Sequence, residues 1–176
     1  MTISDFTPFI RSVPDFPKKG IIFRDITTLL MDKNAFRQTI GKLYDFTAGL
    51  KVDKVVGIES RGFIFGGLLA EKLNAGFIPV RKPGKLPYKT IRESYALEYG
   101  TDTIEMHSDA IEKGDKILIH DDLLATGGTM EATCRLVESL GGEIVQISFL
   151  IELSFLNGRD KLKNYEVKSL INYDAE

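Results

Sequence analysis

The sequence predicts an α/β fold: one domain, with a mostly parallel, twisted sheet flanked by helices, a small cap or hood, and a flexible loop or hairpin. Two observations carry this reading. Short apolar, β-branched runs alternate along the chain with amphipathic stretches of ten residues or more, which is the pattern of strands buried on both faces and joined by helical crossovers. The chain of 176 residues, 43% apolar and 27% charged, shows no internal repeat and no Pro/Gly/Ser linker that would divide it.

The elements follow in order. Asp32 caps an amphipathic helix expected to run to Leu50, with Phe36, Ile40, Leu43 and Phe46 on one face. Lys54 to Ile58 reads as the first strand, polar Glu59-Ser60-Arg61 as the loop after it, and Gly62 to Leu73 as the next helix. Further strands are expected at Gly76 to Arg81, Lys116 to His120 and Glu143 to Ile151. Thr129 to Leu140 is a helix closed by Gly141-Gly142. Two segments break the alternation: residues up to Asp25, and Lys82 to Met106, where Ser94–Tyr99 and Thr101–Met106 fit a hairpin about Gly100. Both are expected to cap the sheet edge, and the tail after Leu170 carries no signal.

Composition excludes several function classes. With 23 basic and 25 acidic side chains the net charge is −2, which argues against general nucleic-acid or membrane-surface binding. The longest uncharged stretch, Gly62 to Ala70, has nine residues, against the roughly 20 that span a bilayer. One cysteine, Cys134, and two histidines give no metal-ligand cluster, and the single thiol suits a reducing, cytosolic setting. There is no G-x-x-x-x-G-K-[ST] and no G-x-G-x-x-G, and Gly57-Ile58-Glu59-Ser60-Arg61-Gly62 misses the nucleophile-elbow spacing by one residue.

Ligands of an open parallel sheet sit at the carboxyl ends of its strands. There, His120 leads into Asp121-Asp122-Leu123-Leu124 and then Ala125-Thr126-Gly127-Gly128-Thr129 before a helix. The last five residues supply glycines that let N–H groups approach, hydroxyl donors and a helix amino terminus, which together suit a phosphate monoester. Adjacent acids beside a phosphate site point to a second group, ribose hydroxyls, unless they serve only to start the helix and the glycines only to make the turn. A second feature is the stretch between Glu71 and Glu93, whose 21 residues hold six basic side chains and no acid. Arg81, Lys82 and Lys85 there, set among Pro83, Gly84 and Pro87, read as a mobile anion-binding loop.

These residues resemble the signature of the type I phosphoribosyltransferases, which use 5-phosphoribosyl 1-diphosphate (PRPP). From Pro14 to about Leu170 the chain is similar to the adenine-specific branch, through Pro14-Asp15-Phe16-Pro17, Gly20 to Ile26, Ser60-Arg61-Gly62-Phe63, Arg81 to Pro87 and Ser94 to Gly100. The resemblance implies transfer of the phosphoribosyl group from PRPP to adenine, giving AMP and diphosphate. Ala125, Thr126, Gly127, Gly128 and Thr129 would hold the 5-phosphate, Asp121 and Asp122 the ribose hydroxyls, and Arg61, Arg81, Lys82 and Lys85 the diphosphate. Ile22, Phe23, Arg24 and Leu153 would line the adenine pocket, and Glu98 would handle the proton of the purine. Arg61 and Lys85 would join Glu98 in catalysis.

The resemblance further implies magnesium carried by PRPP and waters near Asp121 and Asp122 with no direct protein cage, a homodimer, and a non-prolyl cis peptide near Glu59 to Arg61. The loop from Lys82 to Ser94 would close over substrates. His120 stands where an apolar strand residue is usual, and is expected to be a core histidine. Two alternatives stay open: the same chemistry on another base, or a PRPP-sensing regulator without catalysis.

Overall fold

A computed structural model describes residues 2–96 and 100–176. Five strands form a parallel sheet in the order β4 (Gly76–Val80), β3 (Lys54–Ile58), β7 (Lys116–Leu124), β8 (Glu143–Leu153) and β9 (Val167–Tyr173). From β3 the chain crosses one way through helix α3 (Gly62–Lys72) to β4. From β7 it crosses the other way through α4 (Gly128–Ser139) to β8. Right-handed crossovers running in opposite directions put their helices on opposite faces. Accordingly Val55, Leu118, Phe65 and Leu69 share one apolar core, while Val56, Ile119, Met130 and Val137 share the other.

Helix α2 (Lys33–Asp45) packs on the α3 face, where Ala35, Ile40 and Leu43 are buried. Asp32 caps it, accepting from the N–H groups of Asn34 at 2.9 Å and Ala35 at 2.8 Å. The helix stops at Asp45, short of the expected Leu50, because both the N–H and the hydroxyl of Thr47 bond the Tyr44 carbonyl and Gly49 turns the chain at φ +81°. The α4 helix likewise starts and ends one residue before the expected bounds.

The two segments that break the alternation lie on opposite faces and do not form one cap. Strands β1 (Arg11–Val13) and β2 (Phe23–Asp25) pair antiparallel, and around them Phe6, Ile10, Ile26 and Leu29 of helix α1 (Thr27–Met31) enter the α2/α3 core. Strands β5 (Thr90–Ala96) and β6 (Thr101–His107) form the hairpin, whose Tyr95, Ile104 and Met106 join the α4 core. The hairpin does extend the sheet edge, since Arg81 and Glu105 exchange backbone hydrogen bonds at 3.0 and 2.7 Å just beyond β4. It begins at Thr90, four residues before the expected Ser94, so the irregular loop that opens at Lys82 ends at Lys89.

Two strand assignments also change. The residues around Leu170, without signal in the sequence, form edge strand β9, in which only Ile171 is buried. A half-buried edge lacks the continuous apolar run of an interior strand. Strand β7 does not end at His120 but continues to Leu124, because the 11-residue β8 still offers partners there: Asp121 faces Phe149 and Leu123 faces Ile151. Its other neighbour, β3, is paired only as far as His120. Asp121 and Asp122 therefore stand on a strand that outruns its neighbour, at the point where crossover direction reverses.

Candidate active site

The crevice above the end of β3 is a cavity of about 330 Å³ lined by Glu59, Ser60, Arg61, Arg81, Lys82, Tyr95, Asp121, Asp122 and Thr129, with Ile58, Val80, Ile104 and Leu123 as its apolar walls. A second hollow of about 90 Å³ adjoins it, sharing Asp121, Leu123 and Thr129, and is lined by Ala125, Thr126, Gly127 and Gly128. The structure thus gathers the acid pair, the glycine-rich turn and three of the four predicted cations.

The turn is shaped by close backbone contacts. Gly127 has φ +80°, and a Cβ there would lie 2.6 Å from the carbonyl oxygen of Gly158. Gly158 in turn has no room for a Cβ against the Ala125 carbonyl and the Leu124 side chain. Only glycine allows the two backbones to meet in this way. The Gly158 turn is held by Arg159, whose guanidinium donates to both oxygens of the buried Glu152 at 2.6 and 2.7 Å.

On β7, the Asp122 carboxylate accepts from Nε of Arg61. Asp121 packs against Gly62 at the start of α3, where a Cβ would stand 2.9 Å from its Oδ1. Burial, with the charge of Asp122 adding to it, pushes the Asp121 carboxyl well above the usual carboxylate range. His120, just before them, is fully buried, bonded through Nδ1 to Ser148 Oγ at 2.9 Å and set edge-on to Phe65. It is the core histidine expected, and burial lowers its pKa to about 3.

The other three cations are held by acids that sequence reasoning missed. Glu59 Oε1 accepts from Arg81 Nη2 at 3.0 Å and from Lys85 Nζ at 2.7 Å, and its Oε2 accepts from the Lys82 N–H at 3.0 Å. Burial acts to raise the Glu59 carboxyl, but these donors outweigh it and hold it at about 2. Lys82 Nζ donates to Asp102 on β6, which also accepts from the Tyr95 hydroxyl at 3.1 Å. Glu59 had a readable signal, an acid at a strand end facing an acid-free basic loop. Asp102 had none, since its partner depends on hairpin register.

The described ones among the predicted base-side residues, Ile22, Phe23, Arg24 and Leu153, lie outside the lining of the large crevice. Phe23 approaches it, with the Arg61 guanidinium 5.0 Å from its ring centre and Phe16 edge-on at 5.2 Å. Val13, Phe16, Phe23 and Asp25 line an apolar hollow of about 200 Å³. Ile22 is half-buried just before β2. Arg24 donates to Ser12 Oγ at 2.6 Å and stacks 4.0 Å from the Tyr173 ring centre, and Leu153 is in register with Tyr173. Glu98 lies outside the described residues. Among those described, no three His, Cys, Asp or Glu side chains gather as a metal site, and no helix is long and apolar enough to cross a membrane. The peptide bond between Glu59 and Ser60 is cis, as the resemblance implied.

A family model described as the phosphoribosyl transferase domain matches residues 28–174. The adenine phosphoribosyltransferase of Christiangramia forsetii is 61% identical over 94% of this chain and 96% of its own length. The chain belongs to the adenine phosphoribosyltransferase family. It is a pentosyltransferase by that membership. The adenine phosphoribosyltransferase of Thermotoga neapolitana is 57% identical over 96% of this chain and 99% of its own. Among solved structures, the adenine phosphoribosyltransferase of Thermoanaerobacter pseudethanolicus superimposes with a TM-score of 0.92 at 54% identity, covering 94% of this chain and 96% of that one. The Giardia lamblia enzyme, complexed with 9-deazaadenine, gives 0.93 at 37% identity and covers 99% of each chain. The adenine phosphoribosyltransferase family therefore accounts for nearly the whole sequence and for the mostly parallel sheet.

Proposed function

We propose that the chain transfers the 5-phosphoribosyl group of PRPP to N9 of adenine. The N9–C1′ bond forms as the C1′–O bond to diphosphate breaks, with inversion at C1′, and AMP and diphosphate result. The observation that carries this reading is the continuity of the two hollows, which brings a glycine-rich turn at a helix start, an acid pair one strand-end away and three of the four predicted cations into one lining.

In this reading the N–H groups and hydroxyls of Ala125 to Thr129 bind the 5-phosphate, with the α4 dipole adding about 0.3–1 kcal/mol. Asp121 and Asp122 accept from the ribose hydroxyls, and Arg61, Arg81, Lys82 and Lys85 stabilise the charge that gathers on the departing diphosphate. Ile22, Phe23, Arg24 and Leu153 bound the adenine, and Glu98 exchanges a proton with its imidazole ring, an effect of roughly 10²–10⁴ in rate. The loop that opens at Lys82 excludes water from the reactive C1′.

The donor set fits magnesium carried by the substrate. One of the two strand-end carboxylates is engaged by Arg61, which suits contact through PRPP oxygens and waters. Bound in that way, magnesium supplies positive charge at the diphosphate. The chain would work as a homodimer in the cytosol, salvaging adenine.

The test offers the protein magnesium and PRPP with adenine, hypoxanthine, guanine, xanthine or orotate separately, and measures diphosphate release. Release with adenine alone is expected. Release with another base, or PRPP binding without turnover, overturns the assignment. Asp121→Asn and Asp122→Asn are expected to weaken PRPP binding, and unchanged binding contradicts the ribose role.

A further inference from the structure

We infer that Glu59 is a positioning residue for the diphosphate end of the substrate, drawing Arg81, Lys85 and the Lys82 N–H onto one carboxylate so that their charges converge at the mouth of the crevice. This rests on the function proposed above and deepens it. Arg81 and Lys85 share a single oxygen, at 3.0 and 2.7 Å. Two cations brought that close repel each other, and only a negative charge between them holds the arrangement.

Glu59 is itself fixed. Its backbone N–H bonds the Val80 carbonyl at 2.9 Å, which anchors it beside the residue before Arg81. Its side chain is 12% exposed and lines the crevice, whereas the Lys85 side chain is 48% exposed. The loop is tied elsewhere too: the Gly84 N–H donates to Glu105 at 3.1 Å, Arg81 Nη1 donates to the Lys85 carbonyl at 3.2 Å, and Lys82 Nζ donates to Asp102. Without the Glu59 carboxylate, Arg81, Lys85 and the Lys82 N–H would compete for whatever acceptor remained, and Lys85 would swing into solvent. The positive charge facing the diphosphate would then be spread over many loop conformations, and binding would carry the cost of collecting it.

The opposite expectation is also physical: a carboxylate already on the cations competes with the incoming diphosphate, and its removal would tighten binding. The experiment separates the two. Wild type and Glu59→Gln are titrated with inorganic diphosphate in magnesium and, separately, with ribose 5-phosphate, and steady-state constants for PRPP are measured. Glu59→Gln is expected to weaken diphosphate binding and raise the KM for PRPP by tenfold or more. Ribose 5-phosphate binding should change by less than threefold, kcat should fall because the same cations stabilise the departing diphosphate, and Glu59→Asp should recover part of the affinity. Unchanged or tighter diphosphate binding overturns the inference, as does equal weakening toward ribose 5-phosphate, which a merely structural role predicts. If Glu59→Gln does not fold, Glu59→Asp carries the same comparison, with a smaller loss confined to diphosphate. Failure of the wild type to bind either ligand would sink the functional reading instead, so the two failures are distinct.

Discussion

Gly127→Ala probes the phosphate turn most directly. Gly127 sits at φ +80°, where an L side chain costs about 1–2 kcal/mol. Its added methyl would also stand 2.6 Å from the Gly158 carbonyl oxygen, and that backbone cannot yield easily, because the two hydrogen bonds from Arg159 to Glu152 pin the turn. Overpacking of this kind costs about 1–3 kcal/mol, so the total expected is about 2–5 kcal/mol. Gly84→Ala is the control: φ is +78° and nothing lies within 4 Å, so only the conformational part should appear. Equilibrium urea unfolding measures both variants. Titration with ribose 5-phosphate should show a drop of about 10- to 100-fold for Gly127→Ala, the loss of one charge-assisted hydrogen bond, with diphosphate binding retained. Equal destabilisation of the two variants would refute the contact with Gly158, and unaltered ribose 5-phosphate affinity would refute the phosphate role.

The remaining predictions concern proton-bearing groups. Glu98→Gln is expected to lower kcat more than it changes PRPP affinity, and single-turnover rates matching the wild type would remove Glu98 from the mechanism. His120, held neutral at about 3, binds its proton more readily in the unfolded chain, where its pKa is about 6.5. Stability should therefore fall as pH drops through 6.5 toward 3, by up to about 1.4 kcal/mol per pH unit. The difference in unfolding free energy between wild type and His120→Asn should shift by about 2 kcal/mol between pH 7 and pH 5, and a parallel pH dependence of the two proteins would contradict the buried neutral imidazole.

What was legible in the sequence follows from how local each signal is. The Asp32 cap and the starts of the interior strands depend on neighbours a few residues apart, and the structure places them where the pattern did, although β8 runs on to Leu153 rather than ending at Ile151. The end of β7 does not: Leu124 is strand because β8 is long enough to pair with it, a fact of another segment. Strand β9 escaped for a related reason, since Val167–Tyr173 is half-buried at an edge and carries Lys168 within it. In the site, the acid pair and the glycine turn form one continuous string. Lys82 and Asp102 lie 20 residues apart and meet only through the hairpin. The motif pointed to where anions would bind, but not that each predicted diphosphate ligand rests on an acid.

That pairing follows from the two kinds of anion site in one crevice. On the proposed reading the 5-phosphate turn needs no side-chain cation, because N–H groups and a helix dipole are fixed in place and cost nothing to reorganise. The diphosphate end has a different task, since it must bind a group that leaves. Arg61, Arg81, Lys82 and Lys85 are paired with Asp122, Glu59, Asp102 and again Glu59, so three carboxylates offset most of the charge of the four cations. On the proposed reading the diphosphate meets cations already gathered by these acids, and after transfer the same carboxylates keep the cations in place. Without these acids the cations would scatter over many conformations and would have to be collected at each turnover, so the carboxylates that hold them together keep the crevice ready for the next substrate. At the ribose, where the substrate must stay until the new bond forms, Asp121 is backed against Gly62 and shares its strand end with Asp122, and the fixed geometry suits retention.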